Sequence, residues 1–117
     1  MVATRLMLIE KTGVSLHRYL LIATRYAVCR RQFASISGTK VERKLLDYQT
    51  HLHLIGQQTA NSFILNNLSG FLNNLMKESN ELVKEDNFKM LDILHHLSSG
   101  IKAIAIDMVY KGVDELR

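Results

Sequence analysis

The 117-residue sequence contains no proline, and that absence constrains the fold more than any other feature. Proline punctuates turns and edge strands, so a chain without it, rich in Leu, Ile, Ala, Lys, Glu and Gln, favours long helices. The length suits one domain over residues 1–117, able to bury roughly two-thirds of its unfolded surface. A single cysteine, Cys29, excludes a disulfide framework and a zinc site built from several thiolates. Wholly apolar runs such as Leu20–Ala23 are far shorter than the ~20 residues a membrane span needs. Nothing near Met1 has the form of a secretory signal.

Val2, Leu6, Ile9, Gly13, Leu16, Leu20, Ala23 and Ala27 recur at alternating spacings of four and three. That spacing predicts one helix from Met1 to about Gln32, roughly 45 Å long, with a continuous apolar stripe. The next position in the pattern is Arg30, a cation where another apolar residue is expected. Residues 34–40 read as a polar connection. Thr39-Lys40-Val41-Glu42 has the form of a capping box opening a second helix, striped by Val41, Leu45, Tyr48, Leu52, Ile55, Thr59 and Phe63. The stripe continues through Ile64, Leu68, Phe71 and Leu75 to about Ser79. After a polar connection over residues 80–87, Asp86 or Asn87 can cap a third helix carrying Met90, Leu94, Leu97, Ile101, Ile104 and Met108. Three long helices with short connections make an all-α antiparallel bundle. The third is apolar over a wide arc that includes Leu91, Ile93, Ala103, Ala105, Ile106 and Val109, so the bundle needs a fourth helix or another subunit to cover it.

Charge is unevenly placed. The overall net charge is +4. Residues 1–32 hold Arg5, Lys11, Arg18, Arg25, Arg30 and Arg31 against Glu10 alone, while the remainder is slightly acidic. A basic opening helix also suits a mitochondrial presequence or a nucleic-acid or anionic-membrane contact. The cations are scattered, however, and a solvated outer face explains them more simply.

Arg30-Arg31-Gln32-Phe33 is the first chemical candidate. Two guanidiniums at a helix C-terminus complement its dipole. The same forks suit phosphate oxygens, with the aromatic beside them free to pack on a ring or ribose. Tyr48 and Gln49 fall near Arg30 if the first two helices are antiparallel, where they can bond a nucleotide or simply tie the helices together. The histidines His51, His53, His95 and His96 lack the i, i+4 spacing of a shared metal face. Cys29 has cationic neighbours but no local histidine partner and reads as a packing residue. No phosphate-binding glycine loop, Ser-His-Asp set or carboxylate pair stands out.

Residues 23–33, ATRYAVCRRQF, followed by LDYQTH over 46–51 and LHHLSSGIKA over 94–103, resemble the C-terminal helical region of the acyl-CoA oxidases. The resemblance covers nearly the whole chain and implies part of an acyl-CoA dehydrogenase-type C-terminal four-helix bundle, incomplete with three helices. It also implies an FAD enzyme that oxidises fatty acyl-CoA to trans-2-enoyl-CoA and makes hydrogen peroxide in peroxisomes. Carried over, Arg30 would contact the FAD pyrophosphate of a neighbouring subunit, Gln32 and Phe33 would line the same pocket, and Tyr48 and Gln49 would face the adenosine. Ala34 stands where the family usually has glycine. The family's glutamate base lies beyond Arg117, and its other domains enclose the flavin ring and acyl-CoA. No catalytic residue is therefore assigned, and the chain alone is expected to be silent. No C-terminal Ser-Lys-Leu type signal is present, so peroxisomal location rests on the resemblance. A non-enzymatic helical interaction or scaffolding module derived from an oxidase is the alternative.

Overall fold

The computed structural model describes residues 1–34 and 41–117. The order is α1 (Val2–Cys29), β1 (Arg31–Ala34), β2 (Glu42–Lys44), a 3-10 turn at Leu45–Asp47, α2 (Gln49–Val83) and α3 (Lys89–Leu116). The three helices form a rod of 74 × 18 × 17 Å. Its accessible surface is 8363 Å², against roughly 6,500 Å² for a compact monomer of this mass.

Three buried clusters run along the rod. Leu6, Ile9, Leu72 and Leu94 form one end. Leu16, Leu65 and Ala105 form the middle. Leu20, Ala27 and Ile55 close the other end, with Leu116 packed against them. Moving up α1 therefore means moving down α2 and up α3, so α2 is antiparallel to both neighbours. The α1 stripe reads as expected: Leu6, Ile9, Gly13, Leu16, Leu20 and Ala27 are buried, with Val2 and Ala23 half-buried.

On the other two helices the predicted stripes hold only in part: Ile55 and Leu94 are buried and Leu75, Ile101 and Met108 pack against the core, but the inward faces are turned away from the rest. On α2 the buried residues are Ile55, Gln58, Ser62, Leu65, Ser69, Leu72 and Ser79, while Leu52, Phe63, Ile64 and Phe71 are exposed. On α3 the buried residues are Leu94, Ser98, Ala105 and Gly112, and Leu97 and Ile104 face outward. Small side chains occupy these contacts because parallel α1 and α3 must both approach α2 closely. Gln58, only 2% exposed, fills the α2–α3 contact. Its amide donates to Glu115 Oε2 at 2.6 Å and accepts from Asn61 Nδ2 at 3.2 Å.

Helix limits also differ from the sequence reading. Helix α1 ends at Cys29, three residues early, and Arg30 takes extended angles. Residues 31–34 then pair antiparallel with 42–44, Arg31 opposite Lys44 and Gln32 opposite Arg43. Glu42 therefore lies in a strand, and α2 starts at Gln49; Thr39 and Lys40 of the expected capping box lie outside the described residues. Helix α2 runs on through Val83, leaving a connection of residues 84–88. Asp86 takes the left-handed region at φ 58. Asn87 donates its amide to Leu82 O at 3.0 Å, and its side chain accepts from the Lys89 amide at 3.4 Å. Helix α3 passes through Gly112 to Leu116.

Candidate functional site

The hairpin closes the end of the rod where α1 finishes and α2 begins. Its backbone is tied on both sides. The Arg30 amide donates to Tyr26 O at 2.8 Å, and Arg30 O accepts from the Leu45 amide at 3.0 Å. The register slips between Gln32 and Ala34. Phe33 sits at that bulge with φ 64, a left-handed conformation unusual for an aromatic residue, and its ring is 68% exposed. Tyr48 Oη donates to Gln32 O at 2.9 Å, fixing the strand to the start of α2. The Arg43 guanidinium lies 5.4 Å from the Tyr48 ring centroid, within cation–π range, and donates to Asp47 O at 3.4 Å. Arg31 Nη1 donates to Glu42 O at 3.2 Å.

The structure thus brings Gln32 and Tyr48 into direct contact and sets Arg30 one hydrogen bond from the turn that leads to Gln49. Arg30, Gln32, Phe33 and Gln49 are exposed and Tyr48 is half-buried. This corrects one premise: Arg30 does not extend a buried stripe, because the helix ends before it. Arg30 is exposed at the junction of α1 and β1, at the same end of the rod as the strands that carry Arg31 and Arg43.

The electrostatics of this end favour an anion. Helix α2 has no acidic residue in its first turn, and its N-cap, Tyr48, makes no side-chain capping bond. The first amides of a helix carry the positive end of its dipole and need acceptors. The hairpin that leads into α2 carries Arg31, Arg43 and Lys44, with Arg30 just before it, against Glu42 and Asp47. None of these cations forms an ion pair among the described residues, whose salt bridges are Lys111–Asp107 and Arg117–Asp114.

Sequence reasoning missed the hairpin and with it Arg43. The available signal was weak: strands of four and three residues are too short for alternation to stand out from helical periodicity. Elsewhere, Arg5 joins α1 to α3 through His95 Nδ1 at 2.8 Å and Ser99 Oγ at 2.5 Å. His51 Nε2 is buried without a hydrogen-bond partner. Among the described residues no three His, Cys, Asp or Glu side chains converge as a metal site, and no helix is long and apolar enough to cross a membrane.

A family model described as "Acyl-CoA oxidase, C-alpha1 domain" matches residues 1–117. The chain is 32% identical over 118 residues to peroxisomal acyl-coenzyme A oxidase 2 of Mus musculus, covering all of this chain and 17% of that protein. It is 26% identical over 117 residues to peroxisomal acyl-coenzyme A oxidase 1 of Arabidopsis thaliana, again over the whole chain and 18% of the relative. The solved structure of Arabidopsis thaliana acyl-CoA oxidase 1 superposes with a TM-score of 0.91 at 26% identity, over 99% of this chain and 18% of that one. The chain thus spans about 17% of the length of these curated relatives. A match along every residue to one helical domain, with the same three-helix path in space, makes this chain a member of the acyl-CoA oxidase family.

Proposed function

We propose that this chain is the first C-terminal helical segment of a peroxisomal, FAD-dependent acyl-CoA oxidase, supplying one wall of the flavin site and part of the subunit contact. The observation that carries the reading is the donor set at the hairpin end. Arg30, Arg31 and Arg43 lie in the segment that leads into the α2 N-terminus, which has no side-chain cap, within the domain that the family model matches. Guanidinium forks and free helix amides are the chemistry a diphosphate requires, so the residues present fit FAD. Arg30 holds the pyrophosphate, Gln32 and Phe33 line the pocket beside it, and Tyr48 and Gln49 face the adenosine. Tyr48 also fixes the strand through its bond to Gln32 O. When bound, FAD supplies the hydride acceptor for fatty acyl-CoA oxidation and passes the electrons to oxygen. No residue of this chain serves as the base for the α-proton, and the segment alone is catalytically silent. Peroxisomal location draws on the names of the relatives.

The test is flavin retention. In the oxidase assembled with its remaining domains, Arg30→Ala weakens FAD binding by about 10- to 100-fold, the worth of a charge-assisted contact. The purified chain alone shows no acyl-CoA oxidation. Unchanged flavin affinity in the variant, or oxidase activity with a yellow chromophore from the segment alone, overturns the reading.

The unusually large exposed surface favours a second reading, a non-enzymatic helical scaffold that acts through association with a second copy or another helical subunit. That reading expects a stable oligomer by light scattering, no flavin affinity, and assembly indifferent to Arg30→Ala.

A further inference from the structure

Phe33 carries a backbone angle, φ 64, that its side chain disfavours. A bulky aromatic residue stays in the left-handed region only where its surroundings hold it there. The constraint falls on the peptide unit just before it. Gln32 O and the Phe33 amide lie in one plane, and φ of Phe33 is the rotation of that plane about the next bond. Tyr48 Oη donates to Gln32 O at 2.9 Å. The hydroxyl thus pins the plane whose orientation sets the strained angle.

That pin needs an anchor of its own. Tyr48 is half-buried and follows the 3-10 turn, so the core alone does not enclose its ring. Arg43 supplies the remaining hold. The strand register sets Arg43 opposite Gln32, the residue whose carbonyl is pinned. Its guanidinium lies 5.4 Å from the Tyr48 ring centroid, within cation–π range. The same group donates from Nη2 to Asp47 O at 3.4 Å, and that carbonyl belongs to the peptide unit leading into Tyr48. Arg43 therefore grips Tyr48 twice, at its ring and at the backbone ahead of it. Both contacts together suit a planar fork and not a compact ammonium. Arg31 makes a different contact, across the strands to Glu42 O at 3.2 Å. Among the described residues Arg43 is the one cation that lies over an aromatic ring.

We propose that Arg43 is a positioning residue: by clamping Tyr48 it holds the Gln32–Phe33 peptide, and with it the Phe33 ring, in the arrangement that the flavin site uses. This rests on the flavin reading above and deepens it at one residue, since Arg43 acts through Tyr48 and not by touching the cofactor. A guanidinium that only added charge at this end would act on the phosphates independently of the Tyr48 hydroxyl. A double-mutant cycle separates the two roles.

The measurement is FAD affinity, by titration of the flavin-free oxidase assembled with its remaining domains. Arg43→Ala weakens it by about 2- to 5-fold, the worth of an exposed cation–π contact. In a Tyr48→Phe background the hydroxyl is already gone, and adding Arg43→Ala has no further effect. Arg43→Lys, which keeps the charge and loses the fork, recovers only part of the affinity. An Arg43→Ala loss of the same size in both backgrounds, or full recovery by lysine, overturns the proposal in favour of a direct charge effect. Affinity that falls with Arg30→Ala and not with Arg43→Ala also overturns it while keeping the flavin reading. Affinity indifferent to both substitutions overturns the two together.

Discussion

Gly112→Ala is the sharpest test of the packing described here, because the structure and helix propensity give it opposite signs. In an exposed helix, replacing Gly by Ala stabilises by about 1 kcal/mol. At Gly112 a Cβ would fall 3.0 Å from Gln58 Cδ and 3.1 Å from Leu16 Cδ1, and closer still to Gln58 Oε1. Gln58 cannot swing away cheaply, since it is buried and held by Glu115 and Asn61. Overpacking of this kind costs about 1–3 kcal/mol, and a displaced buried amide adds about 1–2 kcal/mol. Less the propensity gain, the net loss is then about 1–4 kcal/mol. Gly100, on the same helix with nothing within 4 Å of its added Cβ, is the matched control and gains about 0.5–1 kcal/mol on mutation to Ala. Urea denaturation followed by circular dichroism separates the two variants, with Gly112→Ala unfolding at lower urea than the parent and Gly100→Ala at higher. If both midpoints rise together, Gln58 is not locked against Gly112 and the α2–α3 contact is wrong.

Other substitutions probe the remaining contacts. Leu72→Ala removes a fully buried side chain from the cluster with Leu6, Ile9 and Leu94 and lowers stability by about 2–5 kcal/mol; a loss below 1 kcal/mol in the same denaturation assay would contradict that core. Tyr48→Phe deletes the donor to Gln32 O and costs about 0.5–1.5 kcal/mol. Hydrogen exchange should quicken at the hairpin amides while α3 is unaffected. The hydrogen bond and charge of Asp107 raise the Lys111 pKa above the ordinary lysine value. The small stabilisation is therefore complete below that ordinary value and is lost as pH climbs through the raised one. Asp107→Asn returns the Lys111 titration to the usual range by NMR and, with both groups solvated, leaves stability near neutral pH almost unchanged.

How much of this was readable in advance depends on the element. The α1 stripe was legible because one apolar arc faces both neighbours, and Leu6, Ile9, Leu16 and Leu20 are buried as their spacing predicts. On α2 the same logic selected Phe63, Ile64 and Phe71, which are exposed. Periodicity finds the most apolar arc, and here that arc is not the one packed inside the chain. Between Ile55, Leu65 and Leu72, the inner face is filled by Ser62 and Ser69, which fit by their size, and by Gln58, held by its hydrogen bonds, none of which hydropathy registers. On α3 the failure of Leu97 and Ile104 to pack inward has the same origin, with Ser98, Ala105 and Gly112 taking the contact. At the candidate site, residue types in Arg30, Gln32, Phe33, Tyr48 and Gln49 marked the region. The strand pairing that arranges them is long-range and left only a faint local trace.

By itself, then, the sequence determined that the chain is helical and that it forms three long segments. Absent prolines and helical spacing act locally, within a few turns of backbone. Only the tertiary structure decided which arc of α2 and α3 points inward, because that choice depends on how closely the three helices approach one another, as where Gly112 of α3 meets Gln58 of α2. It also decided that α1 stops at Cys29. Past that residue, cross-strand hydrogen bonds to residues 42–44 satisfy the backbone in place of another helical turn, and no neighbouring residue in the sequence encodes that exchange.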